Sequence, residues 1–198
     1  MRQFIVLGHE APTTDEFSLD DIAGGAGRLD VLCRCVTSAF FLSHDIRDDV
    51  RVHLVLSEEF TVTFDGPNLR RLNPDERSTA ALVRNALAER AEAVGHQPVE
   101  TSPGVSLTRR GFEPTLEDAA RDGTVVQLHE DGDPVVGVDP PANPVFVLSD
   151  HRDFAPRETD LLAETADLRV RLGLEALHAD HAVTVAHNYL DTDGFERY

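Results

Sequence analysis

The chain has 198 residues, 41% of them hydrophobic, and carries 36 acidic side chains against 18 basic ones, a formal net charge of −18. That length predicts one domain over residues 1–198, and no apolar run approaches the ~20 residues of a membrane span. All 18 basic residues are arginine, a lysine-free, carboxylate-rich composition that suits molar salt, where the Debye length is roughly 3 Å.

The composition reads as that of a halophile's soluble, cytosolic protein, and the Met1–Gly8 segment is too short and too strand-like for a signal peptide. In chain order, Arg2 to Gly8 is an apolar run ended by Gly and predicts a strand. Residues 9–27 predict a long loop with a Gly24-Gly25-Ala26-Gly27 cluster, and loops of that length are functional or wrap a neighbour. Leu29, Leu32, Val36, Ala39 and Phe40 recur at helical spacing. Residues 51–56 and 60–64 predict strands, the second alternating apolar and polar side chains. Asn73-Pro74 is expected to open a helix with Pro74 at its first position and Asp75 and Glu76 in its first turn, closed near Gly95. Residues 105–108 form a weak strand and Pro114 starts a short helix. Residues 124–128 form a strand that the Asp131-Gly132 turn closes. Residues 145–150 are a continuous apolar strand of the buried parallel type. Pro156 starts another helix, 168–173 form a short strand, and the last helix runs from about Asp180 to Asp191. Strands and helices alternate, so the class is α/β with a mainly parallel sheet.

In such sheets ligands bind beyond the carboxyl ends of the strands. The rule selects Leu128, Leu148-Ser149-Asp150 and Leu172-Gly173-Leu174, although on physics alone a purely structural strand end is the better reading of each. Gly173 would let a flat ligand approach the backbone closely. There is no G-x-G-x-x-G and no P-loop, which disfavours a conventional dinucleotide or ATP site. Ser43-His44-Asp45 has the residue types of a hydrolase triad, but contiguous side chains cannot reach that geometry. His178-x-Asp180-His181 has metal-ligand types, yet Asp180 as a helix N-cap explains it without a metal, and no metal is expected. Cys33 and Cys35 are expected to be small core residues, because i and i+2 on a helix point apart.

Several blocks carry a resemblance. Gly8-His9-Glu10-Ala11-Pro12-Thr13-Thr14, Phe17-Ser18-Leu19-Asp20-Asp21, the 27–35 segment Gly-Arg-Leu-Asp-Val-Leu-Cys-Arg-Cys, Asn73-Pro74-Asp75-Glu76-Arg77, the 146–151 segment and the 177–181 segment stand in the order found in archaeal tRNA (pseudouridine(54)-N1)-methyltransferases. The chain resembles that family along nearly its whole length. Membership would imply the knotted SPOUT methyltransferase fold, with an RNA-facing N-terminal half and a C-terminal trefoil knot over 124–198. It would also imply a homodimer, tRNA as partner and S-adenosylmethionine as cofactor. A knot runs against the general rule for chain topology; only the resemblance implies it.

The implied cofactor site is Leu128, Ser149, Asp150, Leu172, Gly173, Leu174, Leu177 and Ala182, mostly through backbone groups. Two positions depart from the family pattern: Ser149 stands where Gly is usual and Ala182 where Cys is common. Pseudouridine exposes an N1–H that uridine lacks, and methylating that nitrogen requires loss of its proton. Asp30 is the candidate carboxylate for that step, directly or through a water it orients; the alternative is a helix-end carboxylate paired with Arg28 or with the helix dipole. Arg28, Arg34, Arg47 and Arg77 are candidate RNA contacts. A ribosomal-RNA pseudouridine N1-methyltransferase, a non-catalytic RNA-binding member of the fold, and a metal-dependent hydrolase using His178 and His181 are the competing readings.

Overall fold

The computed structural model describes residues 1–198. Eight strands form one sheet: β1 (Arg2–Gly8), β2 (Val50–Leu56), β3 (Phe60–Asp65), β4 (Val99–Ser102), β5 (Val105–Thr108), β6 (Thr124–Pro134), β7 (Pro144–Ser149) and β8 (Leu168–Arg171). Their order is β4-β5-β3-β2-β1-β7-β6-β8. From β2 to β8 across the sheet every pairing is parallel; β3, β5 and β4 extend it with antiparallel pairings. The class predicted from the alternation of elements is the one observed.

Five helices cover the sheet: α1 (Leu29–Phe40), α2 (Glu76–Ala88), α3 (Phe112–Ala120), α4 (Pro156–Thr165) and α5 (Ala179–Asp191). The burial of β1 shows why both faces are needed. Phe4 and Val6 belong to the core shared with α1, α2 and α5, whereas Ile5 and Leu7 pack with Phe112, Leu116 and Leu162 of α3 and α4. A strand buried on both faces has to read as an unbroken apolar run, and this one does. The stacked rings of Phe4 and Phe146, with centroids 5.3 Å apart, join β1 to β7.

Some boundaries differ from the sequence reading, each for a local reason. Asp75, not Pro74, opens α2: its side chain accepts the Ser78 N–H at 2.7 Å as an N-cap. The helix ends at Ala88, and Gly95 occupies a separate left-handed turn (φ +58). Pro114 sits inside the first turn of α3, where its missing N–H costs no helical bond. His178, not Asp180, caps α5. The Asp131-Gly132 segment does not end β6. The strand bulges after Leu128 and returns, so that Leu128 and Asp133 both lie opposite Val170 of β8. A Cβ on Gly132 would fall 2.5 Å from the Val170 carbonyl carbon, so only glycine permits this crossing. The sequence reading missed β4, a short, half-exposed edge strand without an apolar run.

No helix is long and apolar enough to cross a membrane. Cys33 and Cys35 are free and buried, and burial pushes both thiols up, which makes them inert packing groups.

Candidate functional site

The carboxyl ends of β6, β7 and β8 open into a cleft. Six of the eight residues predicted for the cofactor line it: Leu128, Ser149, Leu172, Gly173, Leu177 and Ala182. Two do not. Leu174 is 96% exposed on the loop after β8. The Asp150 side chain turns away from the cleft, where it is fully buried against His9.

The cleft's chemistry fits a flat, cationic ligand. Leu148, Phe154, Val170 and Leu172 supply apolar walls, and the His129 and Phe154 rings lie near-parallel with centroids 6.4 Å apart. Ser149 Oγ is buried without a hydrogen-bond partner, a polar atom still to be satisfied. At Gly173 the nearest atom to a notional Cβ is 3.7 Å away. The fold therefore does not itself require glycine there, which leaves that backbone open to a ligand. Glu130, Asp153 and Glu175 at the cleft, against Arg152 and Arg171, suit positive charge better than a pyrophosphate.

Beside the cleft lies a second polar centre, built by the loop that leads into α1. Gly27 (φ +53) and Arg28 (φ +60) are both left-handed, and a Cβ on Gly27 would fall 1.7 Å from the Glu10 carbonyl oxygen. This turn delivers Asp30 into the first turn of α1, where it is only 5% exposed. Its carboxylate accepts Arg28 Nε at 3.0 Å, Arg28 Nη2 at 3.2 Å and Arg34 Nη1 at 2.8 Å. Burial pushes the carboxyl up, but the Arg28 and Arg34 hydrogen bonds outweigh it and hold it below the usual carboxylate range. Asp30 is therefore firmly ionised and a weak base.

This centre is tied to both walls of the cleft. Arg34 also reaches Glu76 at 3.4 Å and Asp180 at 3.6 Å, at the start of α5, whose Ala179 and Ala182 line the cleft. Asp180 Oδ1 is buried and unpartnered. On the other side, Arg152 of the cleft pairs with Glu10, the residue whose carbonyl backs Gly27. Arg77 pairs with Asp20 near this centre's outer edge and lines an open groove with Arg34 and Asp180. Arg47 lies apart: it pairs with Asp191 alongside Arg2, at the amino end of β1. All four arginines thus hold carboxylate partners. His178 and His181 stack edge-on at 5.9 Å, and no group of three or more His, Cys, Asp or Glu side chains is placed to hold a metal ion.

His9 and Glu158 were not singled out by the sequence reading. Each ring nitrogen of His9 meets a carboxylate, Asp150 at 3.2 Å and Glu158 at 2.9 Å. The available signal was a histidine directly after the glycine that ends β1, within the first matching block; nothing in the sequence paired it with a residue 149 positions away.

Comparison with known proteins identifies this architecture. Residues 1–195 match a family model described as "Putative SAM-dependent RNA methyltransferase". A Haloarcula marismortui protein named tRNA (pseudouridine(54)-N(1))-methyltransferase is 77% identical over 198 residues, covering all of both chains. Its namesake from Haloferax volcanii is 75% identical over the same span. The fold resembles that of Archaeoglobus fulgidus Nep1, crystallised with S-adenosylhomocysteine, at a TM-score of 0.65 and 12% identity, covering 96% of this chain and 97% of that one. The chain belongs to this family of S-adenosylmethionine-dependent RNA methyltransferases.

Proposed function

We propose that the protein methylates N1 of pseudouridine 54 in tRNA, acting in the cytoplasm as a homodimer whose cofactor cleft is part of a trefoil knot. The observation that carries the reading is the convergence of Leu128, Ser149, Leu172, Gly173, Leu177 and Ala182 on one cleft at three strand ends. Full-length identity of 77% and 75% to relatives named for that reaction supports the substrate. The tight return of β6 over β8 at Gly132 supports the knot. On α5, Val185 and Leu190 remain only partly buried, apolar surface outside the cleft that a two-fold partner would cover.

Bound in the cleft, S-adenosylmethionine would supply an electrophilic methyl group. The chain's own residues do the rest. Backbone groups of Leu128, Ser149, Gly173 and Leu177 hold and orient the ligand, and the apolar walls exclude water. Asp30, fixed by two guanidinium groups and ionised, orients the water that takes the N1 proton and stabilises the positive charge developing on it. As RNA docks, Arg77 exchanges Asp20, and Arg34 exchanges Glu76 or Asp180, for phosphates or base carbonyls, while Arg28 offers its remaining N–H groups without leaving Asp30; Arg47 would serve only a more distant phosphate.

The test is direct. tRNA carrying pseudouridine 54 is incubated with enzyme and S-adenosylmethionine in multimolar KCl, digested, and its nucleosides analysed by mass spectrometry. N1-methylpseudouridine is expected, with no product from tRNA carrying uridine at that position. Cofactor binding without product would select a non-catalytic RNA-binding protein; product on ribosomal RNA alone would select the other pseudouridine enzyme.

A further inference from the structure

His9 leaves β1 directly into the 9–27 loop, and its side chain closes a bridge between three segments. Nδ1 lies 3.2 Å from Asp150 Oδ1, Nε2 lies 2.9 Å from Glu158 Oε2, and the His9 backbone N–H donates to Asp150 Oδ2 at 3.0 Å. The Asp150 side chain is fully buried and that of Glu158 is 8% exposed. Two carboxylates withdrawn from water need a compensating positive charge and a donor each. Only an imidazolium donates at both nitrogens.

The same two carboxylates hold the chain on either side of the cleft wall. Asp150 Oδ1 accepts the Arg152 N–H at 2.9 Å, and Glu158 Oε2 accepts the Ala155 N–H at 2.7 Å. Between these anchors run Arg152, Asp153 and Phe154, which line the cleft. We propose that His9, in its doubly donating charged form, is a positioning residue that fixes this wall of the cofactor cleft. The proposal rests on the cleft being the cofactor site. Loss of one proton from His9 removes the positive charge and turns an imidazole lone pair toward one carboxylate, which keeps only its backbone donors, and so loosens one end of the wall.

The electrostatic surroundings agree. The Asp150 hydrogen bond, opposed by burial and reinforced by Glu158, raises His9 to about 9. The other charged or titratable groups around the bridge are Glu10, His151, Arg152 and Arg28. Glu10 pairs with Arg152, His151 lies 3.5 Å from Asp150, and the field of Asp150 reaches Arg28. Because the folded value lies above the unfolded one of 6.5, the clamp is fully present below the latter and is lost as pH rises through about 9.

The experiment is calorimetric binding of S-adenosylhomocysteine in multimolar KCl from pH 7 to 10.5. The ligand's own ammonium titrates alike for every variant, so differences between variants are read. Wild type should bind with constant affinity to about pH 8 and weaken above, approaching a ~10-fold loss per pH unit beyond that of the ligand alone. Glu158→Gln keeps an acceptor for His9 and Ala155 but removes a charge, so its alkaline limb should move to lower pH while affinity at pH 7 changes less than ~3-fold. His9→Gln should bind roughly 10-fold more weakly at pH 7 and lack the limb. An unmoved limb in Glu158→Gln, or wild-type affinity in His9→Gln, overturns the proposal. Should His9→Gln not fold, Glu158→Gln alone decides. Wild type failing to bind at any pH overturns the cleft assignment itself, and this proposal with it.

Discussion

Replacing Asp30 by Asn removes one charge at nearly constant size, and the surrounding hydrogen bonds set the scale of the effect. Asp30 accepts three charge-assisted hydrogen bonds from Arg28 and Arg34. The amide oxygen of Asn can keep one, while its NH₂ faces a guanidinium. Breaking a closed buried pair costs about 3–5 kcal/mol. This pair is not closed: the Arg28 side chain is 39% exposed, and Arg34 retains Glu76 and Asp180. A stability loss of about 2 kcal/mol is therefore expected, read as a shift in denaturation midpoint at fixed salt. The contribution has a definite pH sense. Because the folded carboxyl lies below its ordinary value, its stabilisation is present at neutral pH and is lost as pH falls through the acid range. If Asp30 assists departure of the N1 proton, single-turnover methylation should slow by ~10²-fold or more, equivalent to about 2.7 kcal/mol of barrier. Titrated in the same high-salt buffer, tRNA affinity should change less than ~3-fold. A rate and an affinity that fall together would mean that Asp30 serves only to fix Arg28. An unchanged rate would remove it from the mechanism.

Gly173→Val should leave the thermal midpoint within about 1 °C of wild type, because its Cβ meets nothing closer than 3.7 Å, yet should abolish S-adenosylhomocysteine binding; undiminished affinity by calorimetry would place the ligand elsewhere. Gly27→Ala should do the opposite: with φ +53 and a Cβ 1.7 Å from the Glu10 carbonyl oxygen, it should lose more than ~3 kcal/mol of stability and with it the Arg28–Asp30 geometry, and a midpoint like that of wild type would contradict the left-handed turn at Gly27. Dilution from multimolar to ~0.1 M salt should unfold the protein through carboxylate self-repulsion, given the net charge of −18; retained circular dichroism would show that the charge is balanced locally. Light scattering in high salt should report twice the 21.8 kDa chain mass, and a monomer would leave the apolar face of α5 without its expected partner.

What could be read from the sequence depended on whether the signal was local. β1 and β7 announced themselves because burial on both faces forces an unbroken apolar run, and α1 because its buried side chains recur at helical spacing. The strand-end rule found Leu128, Leu148, Ser149, Leu172 and Gly173 of the cleft without any tertiary information, whereas Leu177 and Ala182 came from the family resemblance. A position at a strand end does not fix the direction of its side chain, and a histidine 141 residues earlier in the chain turns the Asp150 carboxylate away from the cleft. The rule misjudged Leu174 because the loop after β8 swings out beyond the strand end. The cap of α5 was placed at Asp180 on residue type alone, but that carboxylate is engaged by Arg34 across the interface with α1. The pairing of His9 with Glu158 had no local signature at all.

The central place of β1 in the sheet has a consequence for biosynthesis. One edge of β1 can pair with β2 as soon as residues 50–56 emerge, but its other edge waits for β7. With roughly 140 residues separating the two strands, at ~5–20 residues per second the ribosome leaves that edge uncovered for roughly 7–28 s. During this interval Phe4, Ile5, Val6 and Leu7 form an open template for pairing with another nascent chain. The acidic segments translated in between, which keep such chains apart by like charge, are thus a safeguard during synthesis as well as a coat for the finished enzyme.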